Sequence, residues 1–145
     1  MDFFTAMDVS ASGLTAERER LNVASSNLAN VNSTRGADGG PYRRLDVVLA
    51  SRPVQGGIPG ARAGGGNTPA YGAVVQQVVS DQTAPRTEYD PGHPDADVDG
   101  YVSYPNVKPV EEMVDMITAS RAYEAGISAL GTAVSMAERA LSIGR

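Results

Sequence analysis

The sequence predicts an α+β fold: two long terminal helices packed antiparallel, coiled-coil-like, with a small β-rich insert between them. Three observations predict it. All nine prolines of the 145-residue chain lie between Pro41 and Pro109, and twelve of its sixteen glycines lie between Gly36 and Gly100. On both sides of that stretch, apolar residues recur at helical spacing. Inside it, short valine-rich runs are bounded by turn residues. Proline removes a backbone donor and clashes with the preceding turn, and glycine loses the most backbone entropy on folding. Long helices therefore belong to the flanks and not to the centre. The expected division is 1–34 for the N-terminal helix, 35–105 for the insert with its Gly/Pro loops, and 106–145 for the C-terminal helix.

The first helix is predicted from about Phe3 to Asn30. Its apolar positions include Phe3, Met7, Ala11, Leu14, Leu21, Ala24, Leu28 and Val31, and the three leucines recur every seven residues. This is one helical stripe. It is not a full coiled-coil seam, because Ser10 and Glu17 fall where the second apolar residue of a heptad belongs. The run from Asn27 to Gly36, rich in asparagine and ending in glycine, is a stop signal. Asn22, Asn27 and Asn30 are poor helix formers. Either they mark a frayed end, or their amides bond neighbouring subunits or the returning chain.

The second helix is predicted from about Pro109 to Ile143. Proline suits a first helical turn, and Glu111, Glu112 and Asp115 oppose the positive end of the dipole. Arg139 and Arg145 suit the other end. Met113, Ser120, Ile127, Val134 and Leu141 form one row, and Met116, Tyr123, Leu130 and Ala137 form another. Such a helix is a rod roughly 50 Å long. The candidate packing residues are thus Met7, Leu14, Leu21 and Leu28 on one helix and Met113, Met116, Tyr123, Ile127, Leu130, Val134 and Leu141 on the other. A two-helix hairpin leaves much apolar edge uncovered, so these helices are expected to need further helices from other chains.

In the centre, Tyr42–Ala50, Tyr71–Ser80 and Tyr101–Tyr104 read as strands. The glycine-rich stretch from Gln55 to Asn67 reads as a mobile loop or a loose hairpin tip.

Composition excludes several kinds of chemistry. There is no cysteine and a single histidine, His93, so disulfides, thiolate metal sites and two-histidine mechanisms are out. A net charge of -5 argues against nucleic-acid binding, which needs clustered Lys and Arg. No run approaches the ~18 apolar residues of a membrane span, so direct membrane insertion is not expected. The start, Met1-Asp2-Phe3-Phe4, lacks the basic and apolar regions of an ordinary secretory signal.

One motif invites a metal. Asp95, Asp97, Asp99 and Gly100 match the first positions of a calcium loop, where alternate carboxylates converge. Position 12, which needs a bidentate acid, falls on Asn106. The alternatives are a calcium-binding adhesion or interaction module and a solvated acidic turn leading into a strand. His93 beside Asp95 could serve acid–base chemistry in a small hydrolase, but no nucleophile motif accompanies it. The glycines from Gly56 to Gly66 are not a phosphate loop, because no Gly-Lys-Ser or Gly-Lys-Thr follows. Asn32-Ser33-Thr34 is formally a glycosylation acceptor and reads better as helix termination. No cofactor is expected.

The two ends carry a resemblance. Ala11-Ser12-Gly13-Leu14, then Arg20-Leu21, then Asn27-Leu28-Ala29-Asn30-Val31-Asn32-Ser33-Thr34 resembles the N-terminal signature of the bacterial flagellar rod and hook family. Asn106-Val107-Lys108-Pro109-Val110-Glu111-Glu112-Met113-Val114 with Arg121-Ala122-Tyr123-Glu124-Ala125 resembles that family's other end. Lys108 and Pro109 depart from the family's usual Asn-Val-Asn/Asp-Val-Val-Glu-Glu and would shift the helix start by a residue or two. The stretch Tyr89–Asp97, with Gly100-Tyr101-Val102 and Pro105-Asn106-Val107, is similar to a short proximal-rod member of the family. The glycine-rich loop is not part of the likeness.

The resemblance implies a structural, non-enzymatic subunit of the proximal rod that polymerises through its terminal helices into a torque-transmitting shaft. The implied partners are further copies of itself, other flagellar rod proteins, the basal-body membrane ring with its rod adaptor, and the flagellar type III export apparatus. The implied location is the periplasmic rod, reached without a cleaved signal peptide.

Overall fold

A computed structural model describes residues 3–36, 39–54 and 70–143. The predicted loop at 55–67 and Arg145 lie outside them. The chain runs α1 (Phe3–Ala29), β1 (Leu45–Pro53), β2 (Tyr71–Ser80), β3 (Arg86–Tyr89), β4 (Tyr101–Tyr104) and α2 (Pro109–Ile143).

The two helices pack against each other. At 27 and 35 residues they are roughly 40 and 52 Å long. α1 ends where asparagine takes over: the Asn30 N–H reaches the Ser26 carbonyl at 3.1 Å, and Val31 and Ser33 close tighter turns on Leu28 and Asn30. Pro109 starts α2 because its missing N–H would have been an orphan there. The carbonyl of Lys108 accepts the first helical N–H, that of Glu112, at 3.2 Å.

β1 and β2 form an antiparallel hairpin running from Leu45↔Ser80 to Pro53↔Tyr71. Between Val48 and Leu49 the register slips, so Gln76 is an extra residue on β2 and the ribbon twists more strongly. The hairpin lies along α1, held at one end through Asn27 and Leu45 and at the other by the Ala73 N–H donating to Ser12 Oγ at 3.1 Å. β2 approaches α1 so closely there that a Cβ on Gly72 would stand 2.6 Å from Ser12 Oγ. α1 is therefore the middle layer, with α2 on one side and the hairpin on the other.

The second sheet pairs β3 with β4 from Arg86↔Tyr104 to Tyr89↔Tyr101. It was not expected at β3, whose four residues are all exposed and show no apolar alternation. β1 also differs from expectation, starting at Leu45 rather than Tyr42. Residues 42–44 are drawn out of the ladder toward the helices, as described next.

Candidate functional site: a helix seam and a buried polar joint

The covered face of α2 is read from burial. Glu112, Met116, Ala119, Tyr123, Gly126, Leu130, Ala133 and Ala137 are buried or half-buried, at spacings that alternate between four and three. That average of 3.5 is a coiled-coil seam. Ala119 is fully buried, and on α1 so nearly are Ala16 and Ala24. Small residues bring the two backbones close. A Cβ on Gly126 would stand 2.8 Å from Leu14 Cδ2. Farther along, Ser25 Oγ lies 3.9 Å from Met116 Sδ, which makes the pair antiparallel. Carried on at this register, Phe3 comes level with about Ala137, and residues 138–143 overhang.

The predicted packing residues divide. Met116, Tyr123 and Leu130 lie in the seam, and Met7, Leu14, Leu21 and Leu28 on α1 are half-buried. Met113, Ile127, Val134 and Leu141 are exposed, by 48%, 49%, 37% and 75%. They share α2's uncovered side with Val110, Val114, Ile117 and Ile143. The seam's second row is instead the small series Ala119, Gly126 and Ala133. Its seven-residue spacing was visible in the sequence, but Ala and Gly give a weak hydropathy signal.

At one end of the seam sits a cluster that hydropathy could not reveal. Asn27 is buried on α1. Its Nδ2 donates to the Leu45 carbonyl and to Glu112 Oε2, both at 2.9 Å. Its Oδ1 accepts from the Leu45 N–H and from the Tyr42 hydroxyl, again at 2.9 Å. Glu112, buried on α2, accepts Arg44 Nε on its other oxygen at 2.6 Å. The Arg44 N–H donates in turn to Asn106 Oδ1 at 3.2 Å. Thus both helices and the first strand meet at one satisfied polar joint. Burial by itself lowers the pKa of the Arg44 guanidinium. The hydrogen bond and charge of Glu112, with Asp46 and Asp115 nearby, outweigh it and hold that pKa above its ordinary value. Of the two readings of the asparagines, Asn27 follows the second, bonding the returning chain. Asn30 bonds locally, to the Ser26 carbonyl at 2.9 Å.

The aspartate motif is a turn. Asp97 Oδ1 accepts the N–H groups of Asp99 and Tyr101, each at 2.9 Å. Gly100 takes φ +82°, which favours glycine, and Val98 stands wholly in solvent. Asp95 turns the other way, accepting the Thr34 hydroxyl at 2.8 Å and pairing with Arg35. These bonds, Thr34 first, hold its pKa below the usual carboxylate value. With those carboxylates so engaged, no group of three or more His, Cys, Asp or Glu among the described residues is placed to hold a metal ion. His93 Nδ1 accepts the Asp95 N–H at 3.1 Å, and its ring meets Tyr104 edge-on at 6.2 Å. It is a turn residue.

Such a molecule offers packing surfaces. Family comparison gives the class. Residues 7–37 match the model described as flagella basal body rod protein, and residues 98–143 match flagellar basal body rod FlgEFG protein C-terminal. Both ends therefore bear the marks of a flagellar rod protein. Relatives narrow it. The chain is 43% identical to the flagellar basal-body rod protein FlgC of Borreliella burgdorferi, over 99% of this chain and 98% of that one. It is 41% identical to FlgC of Escherichia coli and 39% to FlgC of Bacillus subtilis, over the full length of each. The chain belongs to the FlgC family of flagellar basal-body rod proteins. It is a structural subunit of the rod, not an enzyme.

Proposed function

We propose that this subunit builds the proximal rod by packing its terminal helices side by side with those of neighbours, so that many copies form a stiff shaft transmitting torque. The supporting observation is the uncovered apolar surface of α2, from Val110 to Ile143 with the row Met113, Ile127, Val134 and Leu141, set beside a seam already closed by small residues. Burying an aliphatic side chain releases roughly 1.5–3 kcal/mol. An unfilled row of that length is therefore a strong drive toward association. Met113, Ile127, Val134 and Leu141 are its contacts between subunits, and Met7, Leu14, Leu21, Leu28, Met116, Tyr123 and Leu130 hold the pair that presents it. Heterologous contacts, between different faces of neighbouring copies, need not close on themselves, and open into a helical assembly. Stiffness follows from dense helix packing rather than from any single bond.

In this reading, 1–34 and 106–145 are the shaft and 35–105 is a projection on its outside. Neighbours are further copies, other rod proteins, and at the base the membrane ring with its adaptor. The subunit works in the periplasm, and leaves the cell interior through the flagellar type III export apparatus without a cleaved signal peptide. Basal bodies purified from cells carrying a labelled copy test this. The label should sit on the rod segment nearest the membrane ring. A label on the hook or filament, or absent from basal bodies, would reject it.

A further inference from the structure

We infer that the Asn27–Arg44–Glu112 cluster is a register lock, selecting one sliding position of α1 on α2 out of several that the seam alone would tolerate. The seam repeats every seven residues, and its residues are nearly interchangeable. Sliding α2 by one heptad exchanges Ala119 with Gly126 or Gly126 with Ala133 in the small row. In the large row it exchanges Met116, Tyr123 and Leu130 among themselves. Along the shared length each apolar contact is replaced by another of similar kind, so hydrophobic burial distinguishes the positions less sharply than a buried polar joint does. One steric feature is specific to the native position, Leu14 over Gly126. A slide sets Leu14 on Ala119 or Ala133 instead, one methyl more, against the flexible end of a leucine.

The polar joint does distinguish them. Glu112 and Asn27 are each about 1% exposed, so neither finds water in place of a lost partner. A slide of seven residues moves Glu112 roughly 10 Å from Asn27. It would strand the buried Glu112 carboxylate, leave one Asn27 N–H without its acceptor, and take from Arg44 its shortest ion pair, while Asn27 keeps Leu45 and Tyr42. Single buried polar pairs fix register in this way in coiled coils. Here the same contacts also tie the hairpin to α1 through Leu45, so register and the placement of the insert are chosen together.

The natural lack of cysteine gives a clean test. Met116→Cys is paired with Ser25→Cys for the native register, or with Arg18→Cys for a one-heptad displacement. Disulfide formation is read on the full chain, in basal bodies and in the soluble protein. With the lock intact, the 25–116 bridge should exceed the 18–116 bridge, because a heptad's displacement of roughly 10 Å puts the second pair farther beyond disulfide reach. With Asn27→Leu, Arg44→Met and Glu112→Leu combined, no charge is left stranded. The displaced 18–116 bridge should then rise at least tenfold while helix content is kept. An unchanged pattern in that variant overturns the proposal. If the triple variant loses its helices, Arg44→Met alone decides: a rise in the 18–116 bridge supports the lock, and none rejects it.

Discussion

α1 and α2 are of comparable length and come from opposite ends of one chain, yet they finish in different surroundings. α1 is flanked by α2 along one side and by the hairpin along the other. α2 is covered along its seam only, and its other apolar positions stay in solvent. Both carry apolar residues at helical spacing. The chain's own fold covers the stripe of α1 more fully than that of α2, although Phe4 stays in solvent. Intramolecular cover is thus greater on α1, and α2 keeps the larger exposed apolar surface, the one proposed above for contacts between subunits.

Aspartate substitutions break that contrast if it is wrong. Ile127→Asp on the open row should abolish swimming and rod assembly. The soluble chain's unfolding free energy should stay within about 0.5 kcal/mol of the parent, as for other exposed sites. Leu21→Asp, at a half-buried position, should abolish both and also destabilise the chain. Normal swimming in both mutants, or a collapse of the Ile127→Asp chain itself, would remove the distinction between the helices.

The next effect sharpens it at the joint. Glu112→Ala leaves Arg44 and Asn27 without their shared partner. Breaking one side of a buried pair costs about 3–5 kcal/mol. Arg44 keeps some exposure and has Asp46 and Asp115 nearby, so the lower end is expected. Denaturant unfolding followed by circular dichroism measures it. Replacing the exposed Glu111 by alanine should change stability by less than about 1 kcal/mol.

How much of this could be read from the residues depends on how local each signal is. Pro109–Ile143 was legible to both ends, because proline, acidic residues and apolar rows all lie within it. β2 and β4 were legible from valine, tyrosine and their bounding turns. β3 was not, since Arg86-Thr87-Glu88-Tyr89 is exposed and is ordered by pairing with β4. The seam was half legible. Hydropathy selected Met113, Ile127, Val134 and Leu141, whereas close approach of two helices is set by small residues, which score low. Asn27 announced itself as a costly helical residue. Its partners did not, because Arg44 and Glu112 stand 68 positions apart and only the tertiary fold joins them.

A smaller effect concerns the other wall of α1. Gly72→Ala would drive a methyl into Ser12 Oγ, a short side chain that also donates to the Val9 carbonyl at 2.7 Å. It has little freedom to move aside, so a loss of about 1–3 kcal/mol is expected. Ser12→Ala in the same chain should recover part of it. A thermal midpoint unmoved by Gly72→Ala would mean the hairpin is not seated on α1 as described.

The smallest effect lies farthest from the helices, where the acidic turn meets the end of α1. Asp95 has its folded pKa lowered, first by the Thr34 hydroxyl and then by Arg35. A carboxyl lowered in this way contributes stability wherever it is ionised in both states, that is above its unfolded value of about 3.9. That contribution disappears as pH falls through the lower folded value. Between neutrality and about pH 5 the contact should therefore be insensitive to pH, and below about pH 4 it should weaken progressively. Amide exchange around residues 34–36 and 95–97, followed across that range, reads it locally. Thr34→Val removes the leading cause and should flatten the acid dependence there, while leaving exchange in the α1–α2 seam as it was. If the seam responds equally, the turn is coupled to the helix pair through more than Asp95, and the separation between insert and helix pair is less complete than the contact pattern indicates.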